Sequence, residues 1–371
     1  MLVASGDVAG VSVQCLLDTG SGTTMVGLKH VVDQLSEFDH VPTMVFSPQT
    51  GDMRVLQKFQ KVPVSIDGFP SYRESVVDSP IHLVSQLSNW EIEALVGQDY
   101  IRHLRIEFHG ENGEPKLLKP GIAILREHVS GLVKDGDVYR LSVRLPGKLS
   151  EDVIIDTGAS GTLSLTPQVI AKLKAMGHVQ AVNRVTSQTA FGTHRFPRYL
   201  LRWVIVGQTR FVDLPVKESR VSLIGLELLR RLHCTLDFPN KLATFSPSKI
   251  PSEIRICPGA IGVGLYFERN GRLIVDEVEE DFPGNSAGIV SGDEILEIDR
   301  QPVGDRSIHD IRDRLSQAGQ MVELKLRSQD TVSTVSLKLD RPYEYPPKWE
   351  PEDPHAAPRP FPNLDEPAKS N

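Results

Sequence analysis

The chain has 371 residues, of which 40% are apolar and 24% charged, and its formal net charge is −7. That length accommodates two or three domains with buried cores. A mildly acidic balance leaves no basic footprint and argues against a nucleic-acid partner. No run of about 18 apolar residues occurs, so no membrane span is expected. The three cysteines, Cys15, Cys234 and Cys257, form no CxxC pair, and the eleven histidines form no HExxH. The cysteines read as buried or semi-buried free thiols, and neither a metal nor a cofactor is expected.

The first residues, MLVASGDVAGVSVQCLLDTG, read as strand from the second residue onward, with no basic n-region and no long apolar stretch. They are not a signal peptide. An exported or periplasmic location is expected only if a signal lies upstream, and the compartment is otherwise open.

Along the chain, VQCLLDTGSGTT (13–24) is an apolar strand running into Asp18-Thr19-Gly20. SPQTGDMR (47–54) follows it. KVPVSIDGF (61–69) alternates as a strand does. EALVGQDYIRHLRIEF (93–108) reads as an apolar run, Gly97, a short amphipathic helix and a strand. After a connection at 119–137, VYRLSVRL (138–145) alternates again and the same landmarks return. DVIIDTGASGT (152–162) leads into Asp156-Thr157-Gly158, TSQTAFGTHR (186–195) matches 47–54, and VSLIGLELLRRLHCTLDF (221–238) matches 93–108. Three matched landmarks in one order make a duplicated, mainly β unit. The expected units are 1–118 and 130–250.

A carboxylate at the end of a buried strand can be aimed at a carboxylate of the partner unit. The glycine permits close backbone approach, and the threonine hydroxyl can bond across to the partner's backbone. Two carboxylates in contact cannot both ionise, so they share a proton. The ionised one can act as base on a water, and the protonated one as acid toward a carbonyl.

LLDTGS (16–21) and VIIDTGA (153–159) resemble the active-site motifs of pepsin-like and retropepsin-like aspartic proteases. ALVG (94–97) and SLIG (222–225) resemble that family's second signature, an apolar pair and glycine in the strand beneath each Asp. The resemblance covers residues 1 to about 250. It implies aspartic endopeptidase activity on polypeptide substrates, and a monomer with an internal pseudo-two-fold axis. Asp18 and Asp156 are then the catalytic pair. Thr19, Gly20, Ser21, Thr157, Gly158 and Ala159 build the turns, and Gly51 and Gly192 lie near the tips of substrate-covering flaps. Ser21 faces Ala159 across the pseudo-axis, and its hydroxyl is expected to donate to the Asp18 carboxylate. The alternatives are a catalytically inactive peptide-binding scaffold, and units that each pair with a second chain.

From residue 255 to 341 the pattern changes. GVGL (262–265), LIVDEV (273–278) and SAGIVSGDEILEIDRQPV (286–303) resemble a PDZ domain of the bacterial protease-associated type. The expectation is an α+β module with a helix over 307–317 and strands at 321–328 and 332–339. The resemblance implies that Gly262, Val263, Gly264 and Leu265 form a loop that receives peptide C-termini. Residues 342–371 hold nine prolines in thirty positions and are expected to be a disordered tail.

Overall fold

A computed structural model describes residues 2–340, apart from 28, 80–91, 111–114, 122–127, 190–191, 246–252, 256–259, 269, 281, 305 and 307. Cys257 and the Pro-rich 342–371 segment lie outside the described residues.

The chain is mainly β. A seven-stranded sheet runs in the order Val3–Val8, Val11–Leu17, Ala94–Val96, Thr24–Val26, Tyr72–Asp78, Met53–Ile66 and His40–Phe46. Val3–Val8 also pairs with Met53–Ile66, which curls the sheet on itself. A nine-stranded sheet contains Val138–Leu145, Leu149–Asp156, Leu223–Gly225, Leu163–Leu165, Thr209–Glu218, Gly192–Val206 and Val179–Thr189 in that spatial order, with Val133–Asp135 beyond the first. Its ninth strand, Glu253–Arg255, runs beside Thr209–Glu218.

The same local arrangement occurs in both sheets. Val11–Leu17 lies parallel to Ala94–Val96, with Leu17 opposite Val96. Leu149–Asp156 lies parallel to Leu223–Gly225, with Asp156 opposite Gly225. Parallel neighbours buried on both faces require continuous apolar runs rather than alternation. CLL before Asp18 and VII before Asp156 supply them: Cys15, Leu16, Leu17, Val153, Ile154 and Ile155 are all buried.

A third sheet joins the two halves. His233–Asp237 pairs with Arg105–His109 on one side and with Leu242–Phe245 on the other. One contiguous core follows, uniting Leu17, Val96, Tyr100 and Phe108 with Ile155, Ile224, Leu228 and Phe238. His128–Gly131, inside the expected connection, is a strand of this third sheet.

Helix Pro167–Ala175 was not foreseen. Thr166 caps it by accepting from the Val169 N–H, and Pro167 occupies its first turn, where a missing N–H costs nothing.

Residues 263–338 build a separate sheet in the order Val263–Phe267, Leu273–Val278, Glu294–Ile298, Met321–Ser328 and Thr331–Lys338. Helix Ile308–Leu315 packs on it, and Leu273, Val275, Ile295, Ile311 and Leu324 form its own core.

Candidate active site

The ends of strands Val11–Leu17 and Leu149–Asp156, from the two large sheets, meet through the turns that follow them. The Thr19 hydroxyl donates to the Ile155 carbonyl at 2.7 Å, and the Thr157 hydroxyl donates to the Leu17 carbonyl at 2.6 Å. Each hydroxyl oxygen also accepts from the other turn: Thr19 N–H to Thr157 Oγ1 at 3.1 Å, and Thr157 N–H to Thr19 Oγ1 at 3.0 Å. Both threonines are fully buried, so every donor and acceptor in this reciprocal set needs its partner.

The cross-links bring Asp18 and Asp156 side by side. A Cβ placed on Gly20 would lie 2.7 Å from both Asp156 oxygens, and one on Gly158 would lie 2.6 Å from Asp18 Oδ2. Only glycine leaves room for the opposite carboxylate. Each carboxylate is also held from its own turn: Gly20 N–H donates to Asp18 Oδ1 and Ala159 N–H to Asp156 Oδ1, both at 2.8 Å.

Burial pushes the Asp18 carboxyl well above the ordinary carboxylate value, and the charge of Asp156 pushes it further. Asp18 is half-buried and Asp156 buried. Burial raises Asp156 as well. The Ala159 N–H, the bond to Asp18, the Lys217 ammonium and the Gly158 N–H all oppose that rise. The two carboxyls are held unequally: the charge of Asp156 adds to the rise at Asp18, whereas several groups, Lys217 among them, oppose the rise at Asp156.

Ser21 differs from expectation. Its hydroxyl donates to the Thr23 carbonyl at 2.8 Å, so it closes the turn instead of reaching the Asp18 carboxylate. The backbone N–H groups of Gly20 and Ser21 act on Asp18 in its place.

Gly51 lies in the turn of the hairpin formed by His40–Phe46 and Met53–Ile66, and Gly192 lies at the end of the hairpin Val179–Thr189/Gly192–Val206. The first tip reaches across to the other half. Gln49 Nε2 donates to Asp156 Oδ2 at 3.2 Å, Gly51 lies against the Arg220 guanidinium, and Asp52 Oδ2 is 3.2 Å from His194 Nε2. The side chain of the matched Gln188 lies outside the described residues. Lys217 is the site residue that the sequence reading did not find. Its signal was a lysine in the apolar strand FVDLPVKE.

Gly262 precedes the edge strand Val263–Phe267 of the last sheet, and Val263, Gly264 and Leu265 lie within that strand rather than in the expected loop. The Leu265 carbonyl accepts from Arg312 at 3.2 Å. The last sheet meets the nine-stranded one through Arg198–Glu279 at 2.6 Å and Arg195–Glu277 at 2.8 Å. Arg231–Asp313, at 2.9 Å, adds a third pair.

Residues 274–328 match the family described as PDZ domain, which supports peptide binding by this part of the chain. Among solved structures, the photosystem II D1 C-terminal processing protease is similar at 24% identity, with a TM-score of 0.20, over 21% of this chain and 22% of that one. The chain therefore spans about a fifth of that protein's length. No curated protein matches the chain.

Proposed function

We propose that the chain is an aspartic endopeptidase of two duplicated β lobes, with the PDZ domain as a peptide-binding module beside them. The observation that carries the reading is the adjoining Asp18–Asp156 pair, whose turns are held together by reciprocal Thr19 and Thr157 hydrogen bonds. A pair that shares one proton supplies a base and an acid at one point, which is what hydration of an amide carbonyl needs.

In this mechanism the ionised Asp156 takes a proton from a water lying between the carboxylates. The water oxygen bonds to the scissile carbonyl carbon, while protonated Asp18 passes its proton to the carbonyl oxygen. The tetrahedral diol then collapses. The amide nitrogen leaves with the proton carried by Asp156, and a diol hydroxyl returns its proton to Asp18. No covalent enzyme adduct forms, and the pair ends as it began. The tips carrying Gln49, Gly51 and Gly192 act as covers that a polypeptide substrate displaces.

The test is digestion of an unstructured protein from acid to neutral pH. Asp18→Asn and Asp156→Asn are each expected to abolish cleavage, a loss of at least about 1000-fold if base and acid act as a unit. Equal behaviour of wild type and both variants would leave a peptide-binding scaffold.

A further inference from the structure

Lys217 is the penultimate residue of the strand Thr209–Glu218, where Phe211, Leu214 and Val216 are fully buried. Its ammonium donates to Gln49 Oε1 at 3.4 Å and to Ser187 Oγ at 3.3 Å, and lies 4.5 Å from the centre of the Phe196 ring. The Gln49 amide turns its other end to Asp156 Oδ2 at 3.2 Å. A cation, an amide and a carboxylate thus stand in line, each donor facing an acceptor.

The two halves are in matched register here. Met25 faces Leu95 on one side and Val77 on the other. Ser164 faces Leu223 on one side and Lys217 on the other. Where the second half has Lys217, the first therefore has Val77, an apolar side chain 2% exposed. At this matched position the cation is present in the second half alone.

We infer that Lys217, acting through Gln49, is a positioning residue that makes Asp156 the base and Asp18 the acid of the proposed pair. The inference rests on the aspartic-peptidase reading and adds to it the origin of the asymmetry. Burial makes the ammonium easier to deprotonate, and the negative charge of Asp156 counters that effect. Arg198, Glu218 and His194 have partners of their own. Arg198, directly opposite Lys217 in the adjacent strand, pairs with Glu279. Glu218 accepts from the Tyr199 hydroxyl, His194 faces Asp52, and Arg220 lies against Gly51.

The experiment is the pH profile of kcat/KM for a peptide substrate, with Asp18→Asn and Asp156→Asn as controls. A cation near a shared-proton pair favours its more negative forms, so its removal raises both apparent pKa values. Lys217→Met is expected to move both limbs upward by about one pH unit, and Lys217→Arg to leave them near wild type. Limbs unmoved in Lys217→Met overturn the inference. If that variant does not fold, Gln49→Leu takes its place: the relay predicts a smaller upward shift, and an unmoved profile overturns it. Cleavage that persists in both Asp→Asn controls rejects the peptidase reading itself. Cleavage lost in the controls, with a Lys217→Met profile that overlays wild type, rejects the role of Lys217 alone.

Discussion

The Thr19 and Thr157 hydroxyls each make two hydrogen bonds to the opposite half, and all four are buried. Thr157→Val keeps the volume but leaves the Leu17 carbonyl and the Thr19 N–H without partners. Each orphaned group costs about 1–3 kcal/mol, so a loss of about 2–6 kcal/mol is expected in urea unfolding. Cleavage should fall about 100-fold, because small displacements of reacting groups are costly. Full stability in Thr157→Val would contradict the cross-linking role. At this scale the Asp, Thr and Gly positions could be read from sequence, since two copies of one tripeptide behind apolar strands leave few other arrangements. The Ser21 hydroxyl could not, because Thr23 and Asp18 both offer acceptors within its short reach and only the turn geometry decides between them.

The strands with clear alternation, Val138–Leu145 and Met321–Ser328, fall where the pattern places them. Helix Ile308–Leu315 likewise falls inside its expected span. Helix Pro167–Ala175 was legible in principle from Thr166-Pro167, a cap followed by a first-turn proline. The contact of Gln49 with Asp156 and Lys217 was not legible, because it depends on how a hairpin of one sheet meets a strand of another. The short helix after Gly97 shows how such elements are tied down. Asp99 accepts from the Thr24 N–H and Thr24 hydroxyl, both at 2.8 Å. Burial pushes its carboxyl up to about 6, against the opposing Thr24 bonds. A folded-state value above the unfolded one means that proton uptake favours the fold. The contribution is full below the ordinary carboxylate value and is lost as pH rises through about 6. Asp99→Ala is expected to cost about 1–3 kcal/mol, with the gap from wild type widest near pH 4 and narrower at pH 7 in urea titrations. A gap that widens with pH would contradict this.

At the scale of the whole molecule, the PDZ domain meets the nine-stranded sheet along the strand that carries Gly192 at its tip. The three ion pairs are not equivalent. The Arg195 side chain is 61% exposed, while Arg198 and Glu279 are 17% and 16% exposed. Exposed pairs contribute little, and enclosed ones leave a stranded charge when broken. Arg198→Ala is therefore expected to speed amide hydrogen exchange in Leu273–Val278, and Arg195→Ala to leave it near wild type. Equal effects would show that enclosure does not set the strength of this contact. The sheet that joins the halves has a different consequence, one that concerns synthesis. Arg105–His109 finds its partner in His233–Asp237, so the earlier segment leaves the ribosome well before the strand it pairs with exists. Until then the growing chain presents an open β edge, and such edges recruit other chains. Completion of this central sheet is bound to wait for the second half, and the interval before it is when the protein is most exposed to aggregation.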